Sequence, residues 1–192
     1  MTETTAVIEI RRASPADAPA IARVHVATWR ETYAGLLPDD LLANLSVERR
    51  EAQWAAQIAA SGAPGDLNRV VVATLEGCGV VGFASCGPER EPESGFDAEL
   101  YTIYLLAEYH GRGIGRELFL RACEEAVAVG FRSVRLWVLE GNPTAGFYAH
   151  LGGEPVGRKG LVLGDGSYFE AAFGWRDLLT MRGARIPHSN HE

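Results

Sequence analysis

The spacing of apolar positions changes along the chain and marks out its elements. Residues 7–11, Val-Ile-Glu-Ile-Arg, read as a short strand. Ile21, Val24, Thr28 and Trp29 then recur at helical spacing behind Ser14-Pro15-Ala16-Asp17. That start has a capping hydroxyl, a proline at the first helical position and a carboxylate three residues on. Gly35 predicts the stop, and Pro38-Asp39-Asp40 a short helical turn. Ser46 predicts a second cap, with Val47, Trp54 and Ile58 on one stripe before Gly62-Ala63-Pro64-Gly65. From residue 69 the character changes and the runs become strand-like. Residues 69–75 and 80–84 flank Gly77-Cys78-Gly79 and predict a hairpin. A polar loop over 88–95 leads to the β-prone run 100–106. Leu118, Ala122 and Ala126 form a helical stripe that stops at Gly130, and residues 134–139 form the next strand. Asn142-Pro143 opens a helix ending at Leu151-Gly152-Gly153, and residues 154–163 and 167–175 flank a turn at Gly164-Asp165-Gly166. The order β, two or three helices, βββ, α, β, α, ββ mixes hairpins with crossovers. It predicts a mixed sheet in an α+β or α/β chain.

Composition narrows the function. With 192 residues and 47% hydrophobic content, the chain is read as one domain over residues 1–180 with a polar tail at 181–192. The net charge of −7 weighs against a nucleic-acid partner, whose affinity rests on phosphate attraction. Cys78, Cys86 and Cys123 lack metal or redox spacing and read as reduced thiols in a cytoplasmic protein. Residues 1–10 carry no signal-peptide pattern, and no run approaches the ~18 apolar residues of a membrane span.

The most informative segment is Tyr109-His110-Gly111-Arg112-Gly113-Ile114-Gly115-Arg116, between a strand and a helix. Alternating glycines let the backbone turn its N–H groups inward and let a ligand approach closely. The helix start adds unpaired N–H groups and partial positive charge, which suits phosphate or pyrophosphate. Arg112 and Arg116 flank the site. The G-x-G-x-x-G and G-K-[ST] fingerprints are both absent. Taken alone, such a turn also reads as a plain connector.

Residues 99–116, Glu-Leu-Tyr-Thr-Ile-Tyr-Leu-Leu-Ala-Glu-Tyr-His-Gly-Arg-Gly-Ile-Gly-Arg, resemble the acyl-CoA-binding motif of the GNAT superfamily of N-acetyltransferases. Residues 136–143, Leu-Trp-Val-Leu-Glu-Gly-Asn-Pro, with Phe147-Tyr148-Ala149-His150-Leu151-Gly152, resemble its following motif, and the element order agrees over about residues 5–176. The resemblance implies a GNAT-like mixed sheet of about six to seven strands flanked by helices, using acetyl-CoA and no metal. It implies that Ile103, Tyr104 and Leu105 offer backbone groups to the pantetheine arm. Gly111, Arg112, Gly113, Ile114, Gly115 and Arg116 would hold the pyrophosphate, and Asn142 would touch the cofactor. Tyr148 would be the general acid toward the departing thiolate, and Glu99 would manage the amine proton. Three positions depart from the family pattern. His110 stands where Gln or Arg is usual, Tyr148 follows Asn142 by six residues rather than seven, and Gly153 replaces an aromatic.

The implied reaction moves an acetyl group to a primary amine of a small molecule or amino-acid-like acceptor. About one lysine-like amine in 2,500 is neutral at pH 7, and an unperturbed carboxylate is a weak base for the rest. Glu99 is therefore expected to act through water or to bind the ammonium. A phenol near pKa 10 protonating a thiolate near 8.5 works uphill by roughly 2 kcal/mol, which a nearby helix N-terminus would ease. Trp29 and Tyr33 lie where relatives build the acceptor pocket; Trp54 reads as core packing, and His25 as a satisfied helix histidine rather than a proton relay. Glu89, Glu91, Glu93, Asp97 and Glu99 crowd one segment with only Arg90 opposing, read either as a solvated loop or as a lure for a cationic amine. His188 and His191 are not read as a metal site. A homodimer fits the family. The competing reading is a non-catalytic acyl-CoA-binding module on the same fold.

Overall fold

The computed structural model describes residues 7–181. A seven-stranded mixed sheet is built from β1 (Ile8–Arg12), β2 (Arg69–Leu75), β3 (Gly79–Pro88), β4 (Ala98–Leu105), β5 (Val134–Leu139), β6 (Glu154–Leu163) and β7 (Gly166–Trp175). Their spatial order is β1-β2-β3-β4-β5-β7-β6. The helices are α1 (Ala18–Thr32), α2 (Asp39–Ala43), α3 (Val47–Ala60), α4 (Ile114–Ala128), α5 (Ala145–His150) and α6 (Leu178–Met181). The sequence pattern anticipates all of these but α6, which is one turn long and too short to show a periodicity. The expected histidine tail lies outside the described residues.

Strand β2 shows why the sheet is covered on both sides. Val71, Ala73 and Leu75 pack with α4, while Val70 and Val72 pack with α1 and α3. Successive side chains of a strand point to opposite faces, so a run of valines needs a layer on each. Helix starts follow the expected chemistry. Ser46 Oγ accepts from Arg49 N at 3.1 Å, and the Asp17 carboxylate accepts from both N and Oγ of Ser14 and pairs with Arg11. A third cluster packs Leu37 and Leu42 against Leu139 beside β6 and β7.

The feature that positions the site is a failed strand pairing. Parallel strands β4 and β5 are in register only at Ala98↔Val134 and Glu99↔Arg135. Beyond Glu99 they part, and the β5-facing edge of β4 has no strand against it. A register shift between Ser85 and Cys86 in the β3–β4 ladder gives β4 an extra residue at Tyr101, and a bulge of this kind turns a strand away from its neighbour. Among the described residues, no helix is long and apolar enough to cross a membrane.

Candidate active site

The parted strands open a cleft of about 610 Å³ lined by residues 100–105 of β4, Leu136, Trp137 and Val138 of β5, the glycine-rich loop and the start of α5. At one end is the loop. Gly111 and Gly113 have φ of 73° and 79°, a region that costs other residues strain. A Cβ at either would meet nothing within 4 Å, so both bare faces look onto open space. The first full α-helical bond of α4 runs from Glu117 N to Gly113 O at 3.1 Å, which leaves the N–H groups of Ile114 and Gly115 at the exposed end. Gly115 sits against Phe147, with 3.5 Å to its ring for an added Cβ. Open glycine faces, a helix N-terminus and an unpaired strand edge suit a diphosphate joined to an amide-rich arm.

His110 donates from Nε2 to Leu105 O at 2.9 Å and so fastens the loop to the end of β4. Gly111, Gly113, Ile114, Gly115 and Arg116 line the cleft, but Arg112 does not. The Arg112 guanidinium lies over Tyr109, 5.3 Å from the ring centroid, and donates to Glu108 O at 3.1 Å. Gly153 stands where the family carries an aromatic, and the missing bulk comes from Trp175. A Cβ on Gly153 would lie 2.6 Å from the Trp175 ring, whose Nε1 donates to Leu151 O at 2.9 Å.

Tyr148 is buried between Phe147 and Phe173, and its hydroxyl bonds the Thr144 side chain. Burial first, then the neighbouring Tyr33, pushes the phenol well above its usual range; the Thr144 bond opposes them. The expected easing by a helix end is therefore outweighed.

Asn142 lines the cleft, but its Oδ1 accepts from Thr144 N at 2.9 Å and Thr144 Oγ1 at 2.8 Å. It caps α5 and also bonds the Tyr33 hydroxyl. Tyr33 in turn bonds Tyr104, whose hydroxyl accepts from Trp29 Nε1 at 2.8 Å. Tyr33 and Tyr104 line the cleft, and Trp29 stands one step behind them. Thr28, Thr32 and Trp137 also reach the lining. The sequence reading missed them because nothing local ties a threonine on α1 to a strand more than a hundred residues away.

Glu99 is placed differently from the expectation. It is buried at 2% exposure, is absent from the lining, and both its oxygens are bound by Arg90, Nε at 2.9 Å and Nη2 closer still. Of the other acidic residues in that segment, Glu89, Glu91 and Asp97 are also engaged, while Glu93 is exposed. Glu89 and Glu91 pair with Arg135, Glu91 with Lys159, and Asp97 accepts from the backbone of Arg132 and Ser133. The loop is an internal ion-pair network with three cations, where the sequence offered only Arg90. Trp54 is a core residue as expected; His25 is buried on α1 with Nδ1 accepting from Trp54 Nε1, but its Nε2 has no partner among the described residues, so it is only half satisfied.

Comparison with known proteins agrees with this geometry. The model of the Acetyltransferase (GNAT) family matches residues 28–153. A Bacillus subtilis (strain 168) protein named uncharacterized N-acetyltransferase YuaI is 36% identical over 176 residues, covering 92% of this chain and 97% of that one. The PaiA N-acetyltransferase of Thermoplasma acidophilum, solved in complex with coenzyme A, is 25% identical with a TM-score of 0.67, covering 88% and 99%. A ribosomal-protein-alanine N-acetyltransferase from Brucella melitensis is 27% identical with a TM-score of 0.67, again over 88% and 99%.

Proposed function

The chain belongs to the acetyltransferase (GNAT) family and is an acyl-CoA-dependent N-acetyltransferase; from that premise we propose that it transfers acetyl from acetyl-CoA directly to the amine of a small molecule or amino-acid-like acceptor held in the same cleft. The observation that carries this reading is the meeting of the glycine loop, the open edge of β4 and Tyr148 in one cavity. Acetyl-CoA supplies a thioester carbonyl already open to attack by an amine. The main chain of residues 111–116 binds the diphosphate. The edge over residues 103–105 bonds the pantetheine amides and offers an N–H to the carbonyl oxygen, where negative charge develops. Tyr148 gives its proton to the departing sulfur. Asn142 acts through Tyr33 and the α5 start, holding both against the cleft.

Direct transfer in a ternary complex needs no nucleophile from the protein. Cys86 and Cys123 are buried, with thiols pushed up by desolvation, which makes them poor nucleophiles. The test is a panel of small amines and amino acids with acetyl-CoA, read by thiol release. Transfer to at least one member, with no labelled protein intermediate on rapid quench, is the expected result. Coenzyme A binding without transfer to any amine favours the non-catalytic module instead.

A further inference from the structure

Two polar side chains on one face of the sheet have no hydrogen-bond partner among the described residues. Trp137 lines the cleft, and its Nε1–H is buried without a hydrogen bond. Buried donors are almost always paired, so this one is suited to a partner from outside the chain. Glu170 is the second group. In the β5–β7 ladder Trp137 stands opposite Ala172 and Leu139 opposite Glu170, which makes Trp137 and Glu170 diagonal neighbours on one face. The charges around Glu170 satisfy one another. Arg90 pairs with Glu99, Arg135 with Glu89 and Glu91, and Lys159 with Glu91. Glu170 is the carboxylate left over. It is half-buried just outside the cleft lining, diagonal to Trp137 and opposite Lys159 in the β6–β7 ladder, and among the described residues no ion pair or side-chain hydrogen bond engages its carboxylate. Its charge is felt by Tyr33 in the cleft.

Resting on the acetyltransferase reading above, we propose that Glu170 binds the acceptor's ammonium group and takes its proton, and that Trp137 Nε1 donates to a carboxylate oxygen of the same molecule, so that the acceptor is amino-acid-like. The proton passes from the ammonium to Glu170 and leaves a neutral amine. The amine nitrogen bonds the acyl carbon as the carbon–sulfur bond breaks. Tyr148 protonates the sulfur and is re-protonated by the surplus proton on the new amide nitrogen. Arg135 and Lys159 lie over the Trp137 ring at 4.7 and 3.9 Å, and this drain on its electrons makes the N–H a better donor to an anionic oxygen. Burial, with help from Glu99 and Glu91, raises the Glu170 carboxyl above its usual range against the opposing pull of Lys159 and Arg90. A raised carboxyl is the better match to an amine proton.

The test compares the common L-amino acids with the amines left when their carboxyl group is removed. Acetyl-CoA is the donor, thiol release the readout, and coenzyme A binding is followed in parallel by calorimetry. We expect turnover of amino acids over their matched amines. Glu170→Gln should lower kcat/KM about 100-fold and remove the acid limb of its pH profile, with coenzyme A binding unchanged. Trp137→Phe, which keeps an aromatic ring, should raise KM for the amino acid about tenfold and leave the matched amine unaffected. Equal use of the two panels, turnover of neither with coenzyme A still bound, or a Glu170→Gln enzyme with the wild-type profile overturns the proposal. Failure to bind coenzyme A counts instead against the reading of the cleft as an acyl-CoA site.

Discussion

The two ends of the cleft are made of different material. The loop end is built from backbone: glycines at positive φ, the first amides of α4 and the open edge of β4. The opposite end is built from side chains contributed by α1, β4, β5 and α5. Backbone recognition needs a short contiguous motif, because neighbouring amides are placed by one local conformation. Side-chain recognition needs four elements folded against one another. The first end therefore suits a ligand shared across a family, and the second can change its ligand by single substitutions.

The largest effect should come from breaking the backbone end alone. Gly115→Asp places a carboxylate in the first turn of α4, where an anion favours the helix but repels a diphosphate. An added Cβ there meets only Phe147 at ordinary contact distance. Coenzyme A affinity should fall at least ~100-fold, about 3 kcal/mol, with the melting temperature unchanged. Calorimetry and thermal denaturation read both. Tyr148→Phe strikes the other end. It keeps the ring buried between Phe147 and Phe173 but loses the proton, so kcat should fall about 100-fold with KM for acetyl-CoA little altered.

Behind the side-chain end, His25 is ringed by Trp29, Trp54, Phe83 and Tyr104 and accepts from Trp54 Nε1 at 3.1 Å. Burial first, then Arg50, lowers its pKa from 6.5 to about 3. The unfolded chain takes up this proton before the folded one does. Stability is thus unaffected by His25 above the unfolded value and falls as pH drops from there toward the folded value. Between pH 6.5 and ~4.5 the loss is about 2 kcal/mol. Urea titrations at several pH values should show it, and His25→Phe should flatten that slope while lowering stability at pH 7. The smallest effect is expected at Gly153, outside the cleft lining, where Gly153→Ala pushes a methyl against Trp175 and Tyr148 O. It should cost about 1–3 kcal/mol in denaturant, with coenzyme A affinity kept.

The same division explains what could be read from the sequence. The strand and helix order, the hairpins and the Ser46 cap follow from local period and turn chemistry. So does the glycine loop, whose chemistry is carried by consecutive residues. Glu99 shows where this fails. Its position at the head of a strand was legible, but its capture by Arg90 depends on how a loop nine residues upstream folds back. Trp137 and Glu170 read as ordinary strand residues; only the β5–β7 register makes them neighbours. The parting of β4 and β5, on which the whole cleft depends, leaves no local mark except the bulge at Tyr101.

The central claim is that main-chain amides of the loop grip the diphosphate of coenzyme A. Amide-resolved NMR of the wild-type protein titrated with coenzyme A tests it without any substitution. The largest shifts are expected at Gly111, Gly113, Ile114 and Gly115, with smaller ones along residues 103–105. Saturable binding that leaves those four amides unmoved, or no binding at all, would contradict it.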